Sequence, residues 1–307
     1  MMLHDKSDHI PVLLITVLDI LRIQHGDSIL DCTLGLGGHS KAMIEAAGKS
    51  GTLTALDADL RNMAIARERL SAYADRIRFI HTNFVHLPDC LEDAGMRFDV
   101  IFADLGLSSP HIDQAERGFT FRDNAPLDMR YDHTKGMTAA DILMQYTEQD
   151  LRLVFQNYGE LPKTHRFVTA VMEARSQKPL RTADDLNSII ENLYRRDAKK
   201  VTAQIYQALR IEANSEMQAV EQLLSIGPSL LKPGGRMAIL TYHSLEDRLV
   251  KRAFKSLCTP QKDDHTGAVS VPAHFSLLTR HALKPSDQEI ENNPRARSAH
   301  LRAIARL

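Results

Sequence analysis

The sequence predicts an α/β protein in which a mostly parallel sheet of seven strands is interrupted, along the chain, by a mainly helical insertion. Over the first third of the chain, short runs rich in β-branched residues alternate with helical patterns. The alternation then stops and resumes before the C-terminus. One α/β domain with an insertion explains this order better than two tandem domains, because four strands alone would leave the sheet half-built.

Each element follows from its local pattern. The predicted strands are residues 28–31, 52–57, 77–81, 98–103, 236–241, 275–279 and 299–305. The predicted helices of the sheet domain are residues 39–47, 59–72, 88–94 and 223–231. Residues 1–112 with 215–307 are therefore predicted to form the sheet domain, and residues 113–214 a mainly helical insertion.

Composition excludes several classes of protein. The chain has 307 residues, 43% hydrophobic and 25% charged, which excludes disordered, collagen-like and coiled-coil proteins. Its 38 Lys and Arg balance 39 Asp and Glu, but the net charge by segment is −5 for residues 1–112, 0 for 113–214 and +4 for 215–307. The balance therefore excludes only a uniformly basic surface.

Three cysteines without a C-x-x-C pair suit a reducing compartment and predict neither a disulfide framework nor a metal site. The N-terminus lacks a basic cap before an apolar core, so we expect no signal peptide. No apolar run approaches the ~20 residues of a membrane span. We expect a cytoplasmic protein without membrane association.

A glycine-rich turn follows the first strand. Asp31 ends that strand, Gly35, Gly37 and Gly38 follow, and Asp57 ends the second strand. Glycines allow close approach of backbone N–H groups to a ligand, and a carboxylate at Asp57 can accept the hydroxyls of a ribose. Together they predict an adenosine-bearing cofactor, although a tight turn without a ligand is the simpler alternative.

The residues also favour one cofactor. A dinucleotide site prefers Gly or Ala where this chain has Ser40, and uses the helix N-terminus for pyrophosphate. Asp31, four residues before Gly35, favours S-adenosylmethionine, whose ammonium and sulfonium groups attract carboxylates. A nicotinamide-dependent oxidoreductase is the disfavoured alternative.

Two further strand ends carry candidate catalytic groups. Asp104 follows the fourth strand, where active-site groups of open α/β sheets lie, although it could instead cap the next turn through Ser108. His243 follows the fifth strand, with Ser244 and Asp247 after it. Ser244 and Asp247 also fit a helix N-cap with an acid three residues later, which leaves His243 unexplained.

Basic residues cluster locally, which makes a groove for a polyanion plausible, although solvated helix faces explain many such runs. The clusters are Arg248, Lys251, Arg252 and Lys255; Arg195, Arg196, Lys199 and Lys200; and Arg295, Arg297, Arg302 and Arg306.

With these residues assembled, the chain resembles the bacterial ribosomal small-subunit RNA cytidine N4-methyltransferase family nearly end to end. The strings that carry the resemblance begin at His9, Gly37, Ala103, Glu116, Pro126, Gln207, Tyr242 and Asn293. The resemblance implies a Rossmann-like methyltransferase fold and S-adenosylmethionine-dependent methylation of a decoding-centre cytidine in 16S rRNA, within a small ribosomal subunit or its precursor. It also implies a set of cofactor-binding residues: Gly37, Gly38, His39, Asp57, Phe84, Asp104 and His111.

The chain departs from the family pattern at a few positions. His111 stands where the family usually has Gln, and its protonation would repel the sulfonium. Other departures lie in the insertion, at Leu161, at Asn124-Ala125 and at Lys200-Val201. We expect these departures to alter the RNA contacts of the insertion and not the cofactor site.

Methyl transfer needs alignment more than acid–base catalysis. We therefore expect Asp104 to be essential, and His243 or Asp247 to assist in positioning or in accepting a proton. Candidate RNA contacts are the rings of Phe119, Phe121 and Tyr131, with Arg117 and Arg130, although the aromatic rings could equally anchor the loop. A catalytically silent ribosome-assembly factor is the rival function, and the sequence leaves open a monomer or a weak dimer.

Overall fold

The computed structural model describes residues 11–90, 95–122, 124–161, 163–263 and 269–307. The chain divides into two compact units. The first is Met1–Gly106 with Gln218–Leu307, and the second is Leu107–Met217. These boundaries lie six and three residues from those expected from the sequence.

The strands, in chain order, are β1 (Ser28–Asp31), β2 (Thr52–Asp57), β3 (Ile77–His81), β4 (Phe98–Asp104), β5 (Leu231–Thr241), β6 (Gln261–Lys262), β7 (Val269–Val271), β8 (Phe275–Leu277) and β9 (His300–Arg306).

The α-helices are α1 (Leu14–Leu21), α2 (Gly38–Ala46), α3 (Leu60–Arg69), α4 (Leu87–Cys90), α5 (Ser109–Asp113), α6 (Ala139–Gln145), α7 (Glu148–Asn157), α8 (Thr164–Gln177), α9 (Ala183–Tyr194), α10 (Ala198–Asn214), α11 (Glu216–Leu230), α12 (Ser244–Leu257) and α13 (Asp287–Asn292). Short 3₁₀ turns cover Ser71–Arg76, Phe84–His86, Ala115–Arg117, Arg195–Asp197 and Pro294–Ser298.

Within the described residues, seven strands form the main sheet in the order β3-β2-β1-β4-β5-β9-β8. The first five run parallel, and β9 and β8 are antiparallel to their neighbours. The predicted α/β fold with a mostly parallel sheet is therefore confirmed. The apolar stretch up to residue 21 forms α1, which we did not predict. Strands β6 and β7 pair antiparallel in a separate two-stranded sheet.

Several predicted elements differ in extent. The predicted helix at residues 223–231 is the second half of α11, which begins at Glu216. The fifth strand begins at Leu231 and not at Arg236, because a bulge lets Leu231 pair with Phe98 and Arg236 with Val100. Pro233, Gly234 and Gly235 thus lie at an irregularity within the strand. The predicted helix at 88–94 is seen as α4, and residues 91–94 lie outside the described residues.

Both faces of the sheet are buried. Alternate residues of β4 enter two different apolar clusters, with Val100 and Phe102 in one and Ile101 and Ala103 in the other. Strands buried on both faces have continuous apolar runs, as β4 has at residues 100–103. Its one terminal acid, Asp104, therefore lies where the strand leaves the core.

The second unit is mainly helical, as predicted. Its core is formed by helices α6 to α10, and the rings of Phe155 on α7 and Phe167 on α8 meet edge to face at 4.9 Å. Thr138, Thr147 and Thr182 each begin a helix with a reciprocal capping box. Among the described residues, no helix has the length and apolar character needed to cross a bilayer.

Candidate active site

Three carboxylates end three adjacent parallel strands. Asp57 ends β2, Asp31 ends β1 and Asp104 ends β4, and these strands are neighbours in the order β2-β1-β4. Because the carboxyl ends of parallel strands share one edge of a sheet, the acids lie at the same edge. This edge suits a cationic ligand.

The glycine-rich turn is sterically constrained. Gly37 has φ +78°, and a Cβ atom there would lie 3.2 Å from Cδ1 of Leu70. A Cβ atom on Gly38 would lie 2.6 Å from Cγ of Pro11, closer than any real contact allows. The turn therefore needs glycine at both positions to begin α2 so close to its neighbours.

Asp57 is oriented by backbone groups. Its Oδ2 accepts a hydrogen bond from the N–H of Gly35 at 2.7 Å, and its Oδ1 accepts one from Asp59 at 2.7 Å. These bonds join the end of β2 to the glycine turn. Phe84 begins the 3₁₀ turn after β3, where Asn83 accepts a hydrogen bond from the N–H of Val85 at 3.0 Å.

Asp31 is fully buried and holds the turn together. Its Oδ2 accepts from the hydroxyl of Ser40 at 2.6 Å, and its Oδ1 accepts from the N–H of Thr33 at 2.9 Å. The Thr33 hydroxyl oxygen in turn accepts from the N–H of Asp104 at 2.6 Å. Burial raises the pKa of Asp31, although these hydrogen bonds partly oppose the shift. Asp31 thus connects the ends of β1 and β4.

Asp104 keeps about a quarter of its side chain exposed, at 26%. Its Oδ1 accepts a hydrogen bond from the hydroxyl of Tyr242 at 2.7 Å. Burial raises the pKa of Asp104 to about 7; the Tyr242 hydrogen bond opposes the rise, and the charge of Glu246 adds to it. The carboxyl group can therefore change its protonation state near neutral pH.

His39 faces the other oxygen of Asp104. Its Nδ1 lies 3.6 Å from Oδ2, and its Nε2 lies 3.0 Å from the carbonyl oxygen of Val12. A carbonyl only accepts, so we assign the ring proton to Nε2 and a lone pair to Nδ1. Burial lowers the pKa of His39, which favours this neutral form.

The start of α12 differs from the predicted cap. His243, and not Ser244, is the N-cap residue, and Glu246, and not Asp247, is the acid that completes the box. Oε2 of Glu246 accepts from the N–H groups of Tyr242 at 2.9 Å and His243 at 3.3 Å. The assignment of the cap to Ser244 was therefore wrong.

The His243 ring is held close to Glu246. Its Nδ1 accepts a long hydrogen bond of 3.5 Å from the N–H of Glu246. Its Nε2 lies 3.0 Å from Oε1 of Glu246, in a direction unsuited to a hydrogen bond, and has no hydrogen-bond partner among the described residues. His243 therefore serves first as a helix cap, and a further role in the reaction stays a prediction.

Asp247 forms a bidentate ion pair. Its two carboxylate oxygens accept from Nε and Nη2 of Arg302 on β9 at 2.7 and 2.9 Å. Burial alone would raise the pKa of Asp247, but the Arg302 hydrogen bonds hold it below its ordinary value. This geometry favours a structural role over the catalytic one considered from the sequence.

The predicted loop residues of the second unit separate into buried and exposed groups. The His111 ring packs against Phe119 at 4.8 Å and Tyr131 at 5.0 Å, and its Nδ1 accepts from the N–H of Ser108 at 3.0 Å. Phe119 is buried, as Arg117 is, whereas Phe121 is 39% exposed. The sequence left two roles open for these rings, stacking on RNA and anchoring the loop. Its burial favours the anchoring role for Phe119.

The basic residues also separate. Arg130 is engaged with Asp128 in a bidentate pair at 2.7 and 2.9 Å. The members of the predicted clusters that are exposed are Arg248, Lys251, Arg252, Lys255, Arg195, Arg196, Lys199, Lys200, Arg295 and Arg297. Arg302 is buried, and Arg306 donates to the carbonyl oxygen of Leu231, so neither belongs to a solvated cluster.

Comparison with known proteins identifies the family. The sequence profile of the MraW methylase family matches residues 6–307. The chain belongs to the MraW methylase family. The resemblance found in the sequence is therefore confirmed, as are the methyltransferase activity and the cofactor S-adenosylmethionine.

Similar MraW methylase relatives match along their whole length. Ribosomal RNA small subunit methyltransferase H of Clostridioides difficile (strain 630) is 36% identical, over 97% of this chain and 99% of that protein. The protein of the same name from Phocaeicola vulgatus is 40% identical, over 96% of each chain. Among solved structures, a putative rRNA methylase from Clostridium thermocellum is 12% identical with a TM-score of 0.45, covering 97% of this chain and 99% of that one.

The donor set fits the cofactor of a MraW methylase. A ligand with ammonium and sulfonium groups would find the partly exposed carboxyl group of Asp104 at this edge. Asp31 is fully buried and accepts from Ser40 and Thr33, so the direct attraction to the cofactor expected from the sequence is not available to it. Sequence reasoning missed Tyr242 as a partner of Asp104, because the two residues lie 138 positions apart. Its position one residue beyond the end of β5 was the available signal.

Proposed function

We propose that this chain transfers a methyl group from S-adenosylmethionine to the exocyclic N4 amine of a decoding-centre cytidine in 16S rRNA, within a small ribosomal subunit or its precursor. The observation that carries the proposal is the position of Asp104, a partly exposed carboxyl group at the end of β4 that accepts from the Tyr242 hydroxyl and lies 3.6 Å from Nδ1 of His39. Support for the RNA substrate comes from the names of the relatives, which span nearly the whole chain.

The cofactor would be held by the first unit. We assign the backbone of Gly37 and Gly38 and the ring of His39 to its amino-acid portion, Asp57 to the ribose hydroxyls, and Phe84 to the adenine. Asp31 and Gly35 would act through the turn that they hold together. His111 stays a predicted contact.

The bound cofactor supplies an electrophilic methyl group on a sulfonium centre. The lone pair of a cytosine amine is delocalised into the ring, so the protein must hold the N–H groups and align the nitrogen. The carboxylate of Asp104 can accept one N–H, which would turn the nitrogen lone pair toward the methyl group. As the new N–C bond forms, the nitrogen must lose a proton, and a carboxylate with a pKa of about 7 can accept it.

RNA contact would come from exposed basic residues. Arg248, Lys251 and Arg252 repeat on one face of α12, and Arg295 and Arg297 are also exposed. Contacts of such residues with phosphates supply affinity without sequence preference. We assign recognition of the target sequence to the second unit, where Phe121 is an exposed ring for stacking and Arg117, Phe119 and Arg130 shape the loop.

The experiment is methylation in vitro with labelled S-adenosylmethionine, followed by nucleoside mass spectrometry. Naked 16S rRNA and isolated small subunits, both from a strain that lacks this gene, serve as parallel substrates. We expect one N4-methylcytidine in at least one of the two. A methyl group on a ring carbon or a ribose, or no transfer to either substrate, would refute the proposal.

A further inference from the structure

Tyr242 contacts Asp104 across two neighbouring strands. It directly follows β5, which pairs in parallel with β4, and Asp104 is the last residue of β4. The Tyr242 hydroxyl donates to Oδ1 of Asp104 at 2.7 Å. Burial and the neighbouring carboxylate raise the pKa of Tyr242 well above its ordinary value, so the hydroxyl keeps its proton and acts as a donor.

Tyr242 is held through its backbone and through its ring. The N–H of Tyr242 donates to Oε2 of Glu246 at 2.9 Å, and the ring packs against the apolar cluster that contains Phe102. Gly106, at φ +104°, lies beside the ring, where an added Cβ would be 3.3 Å from Cδ2 of Tyr242. The hydroxyl therefore has little freedom to leave Asp104.

The second oxygen of Asp104 faces an acceptor. Oδ2 lies 3.6 Å from Nδ1 of His39, which carries a lone pair because Nε2 donates to Val12. An ionised Asp104 and a neutral His39 thus present two acceptors to one place. Such a pair is satisfied by a ligand group that carries more than one N–H.

We propose that Tyr242 is a positioning residue, whose hydroxyl occupies Oδ1 of Asp104 and so keeps Oδ2 ionised and directed, with His39 Nδ1, at an N–H group of the ligand. The inference rests on the proposed role of Asp104. Two groups have this chemistry, the α-ammonium of S-adenosylmethionine and the amine of the cytosine.

If the hydroxyl of Tyr242 keeps Asp104 ionised, replacing Tyr242 should change the pH dependence of ligand binding. The titratable groups that face Asp104 or Tyr242 are Asp31 on β1, His39 on α2, Glu246 on α12 and Glu289 on α13. The hydroxyl of Tyr242 stabilises the carboxylate, whereas burial and Glu246 destabilise it. Without the hydroxyl, the pKa of Asp104 must rise. A ligand that needs the carboxylate loses affinity as the pH is lowered, and in the variant this loss should begin at a higher pH than in the wild type.

The test compares Tyr242→Phe with Tyr73→Phe. Tyr73 is a matched control in the same unit, because its hydroxyl also donates to a carboxylate, Oε1 of Glu45, at 2.5 Å but on the surface. Calorimetry gives the Kd of S-adenosylmethionine between pH 5.5 and 8.5, and methylation of small-subunit RNA gives kcat at saturating cofactor. Thermal unfolding checks that both variants are folded.

We expect Tyr242→Phe to shift the pH midpoint of Kd or of kcat upward by about one unit, since a hydrogen bond to a charged group contributes about this much. The Kd should then rise, or kcat fall, by about five-fold at pH 7 and about ten-fold below pH 6. Tyr73→Phe should match the wild type. An effect on Kd identifies the ammonium as the ligand group, and an effect on kcat alone identifies the amine. The proposal would be overturned if the pH curves of Kd and kcat for Tyr242→Phe both superimposed on those of the wild type. It would also be overturned if affinity and kcat were reduced by the same factor at every pH.

The binding measurement needs no RNA. The proposed methylation reaction and the proposed role of Tyr242 can therefore be refuted independently of each other. A wild-type protein that binds S-adenosylmethionine but forms no N4-methylcytidine refutes the proposed reaction. The Kd curves of the two variants would still decide the role of Tyr242.

Discussion

Replacing Asp247 with Ala should destabilise the protein without removing the chemical step. Asp247 and Arg302 form two hydrogen bonds of 2.7 and 2.9 Å, with side-chain exposures of 22% and 11%. Asp247→Ala leaves the buried guanidinium without its carboxylate. Breaking a buried pair costs about 3–5 kcal/mol and an exposed pair below about 1 kcal/mol. For this partly buried pair we expect about 2–3 kcal/mol.

The assay is thermal unfolding of Asp247→Ala beside Asp19→Ala, an exposed acid on α1. A loss of this size corresponds to a Tm lower by about 4–12 °C for a unit of this size. The pKa of Asp247 is lowered in the folded state, so its contribution is complete above the unfolded pKa of about 3.9 and is lost as the pH falls through the folded value. The difference in Tm should therefore persist at pH 6 to 8.

The same variant is assayed for methyl transfer well below its Tm. A kcat within about three-fold of the wild type fits a structural role, because a lost proton-transfer group costs about 10²-fold or more. A variant as stable as the wild type whose kcat falls about 100-fold would refute this reasoning and return Asp247 to the reaction.

Two further changes test the cofactor turn and the RNA surface. Gly38→Ala should raise the Kd of S-adenosylmethionine and cost about 1–3 kcal/mol of stability, because its Cβ would meet Pro11 at 2.6 Å. The control Gly95→Ala, at an exposed position, should change neither quantity. Calorimetry measures the Kd, and thermal unfolding measures the stability. The double variant Lys251→Gln with Arg252→Gln should weaken RNA binding and reduce the size of the slope of log K against log salt by about 1–2. The Kd of the cofactor should not change. Equal slopes for the variant and the wild type would contradict contact with phosphates.

The sheet was predictable because its evidence is local. Strands buried on both faces have continuous apolar sequences, and the acids Asp31, Asp57 and Asp104 mark where those strands leave the core. The glycine turn was equally local, since Gly37 and Gly38 directly begin α2. Pattern alone therefore located the edge of the sheet at which the candidate site lies.

What the sequence did not reveal depends on pairs far apart in the chain. Arg302 was grouped with surface arginines, because its partner Asp247 lies 55 positions earlier. Tyr242 was only part of a family string until the structure connected it to Asp104.

The N-cap of α12 was misassigned for a local reason. Ser is a preferred N-cap residue and His is not, so the pattern favoured Ser244. His243 can cap because its Nδ1 accepts from Glu246 while Glu246 binds the preceding N–H groups. Side-chain geometry, and not propensity, decides the position.

The central claim is that Asp104 serves methyl transfer to a cytidine amine, and nucleoside mass spectrometry of 16S rRNA tests it most directly. Small subunits from a strain lacking this gene are treated with the wild-type protein or with Asp104→Asn, each at saturating S-adenosylmethionine. We predict one N4-methylcytidine with the wild type and a rate lower by about 100-fold or more with Asp104→Asn. An undiminished rate for Asp104→Asn would contradict the account.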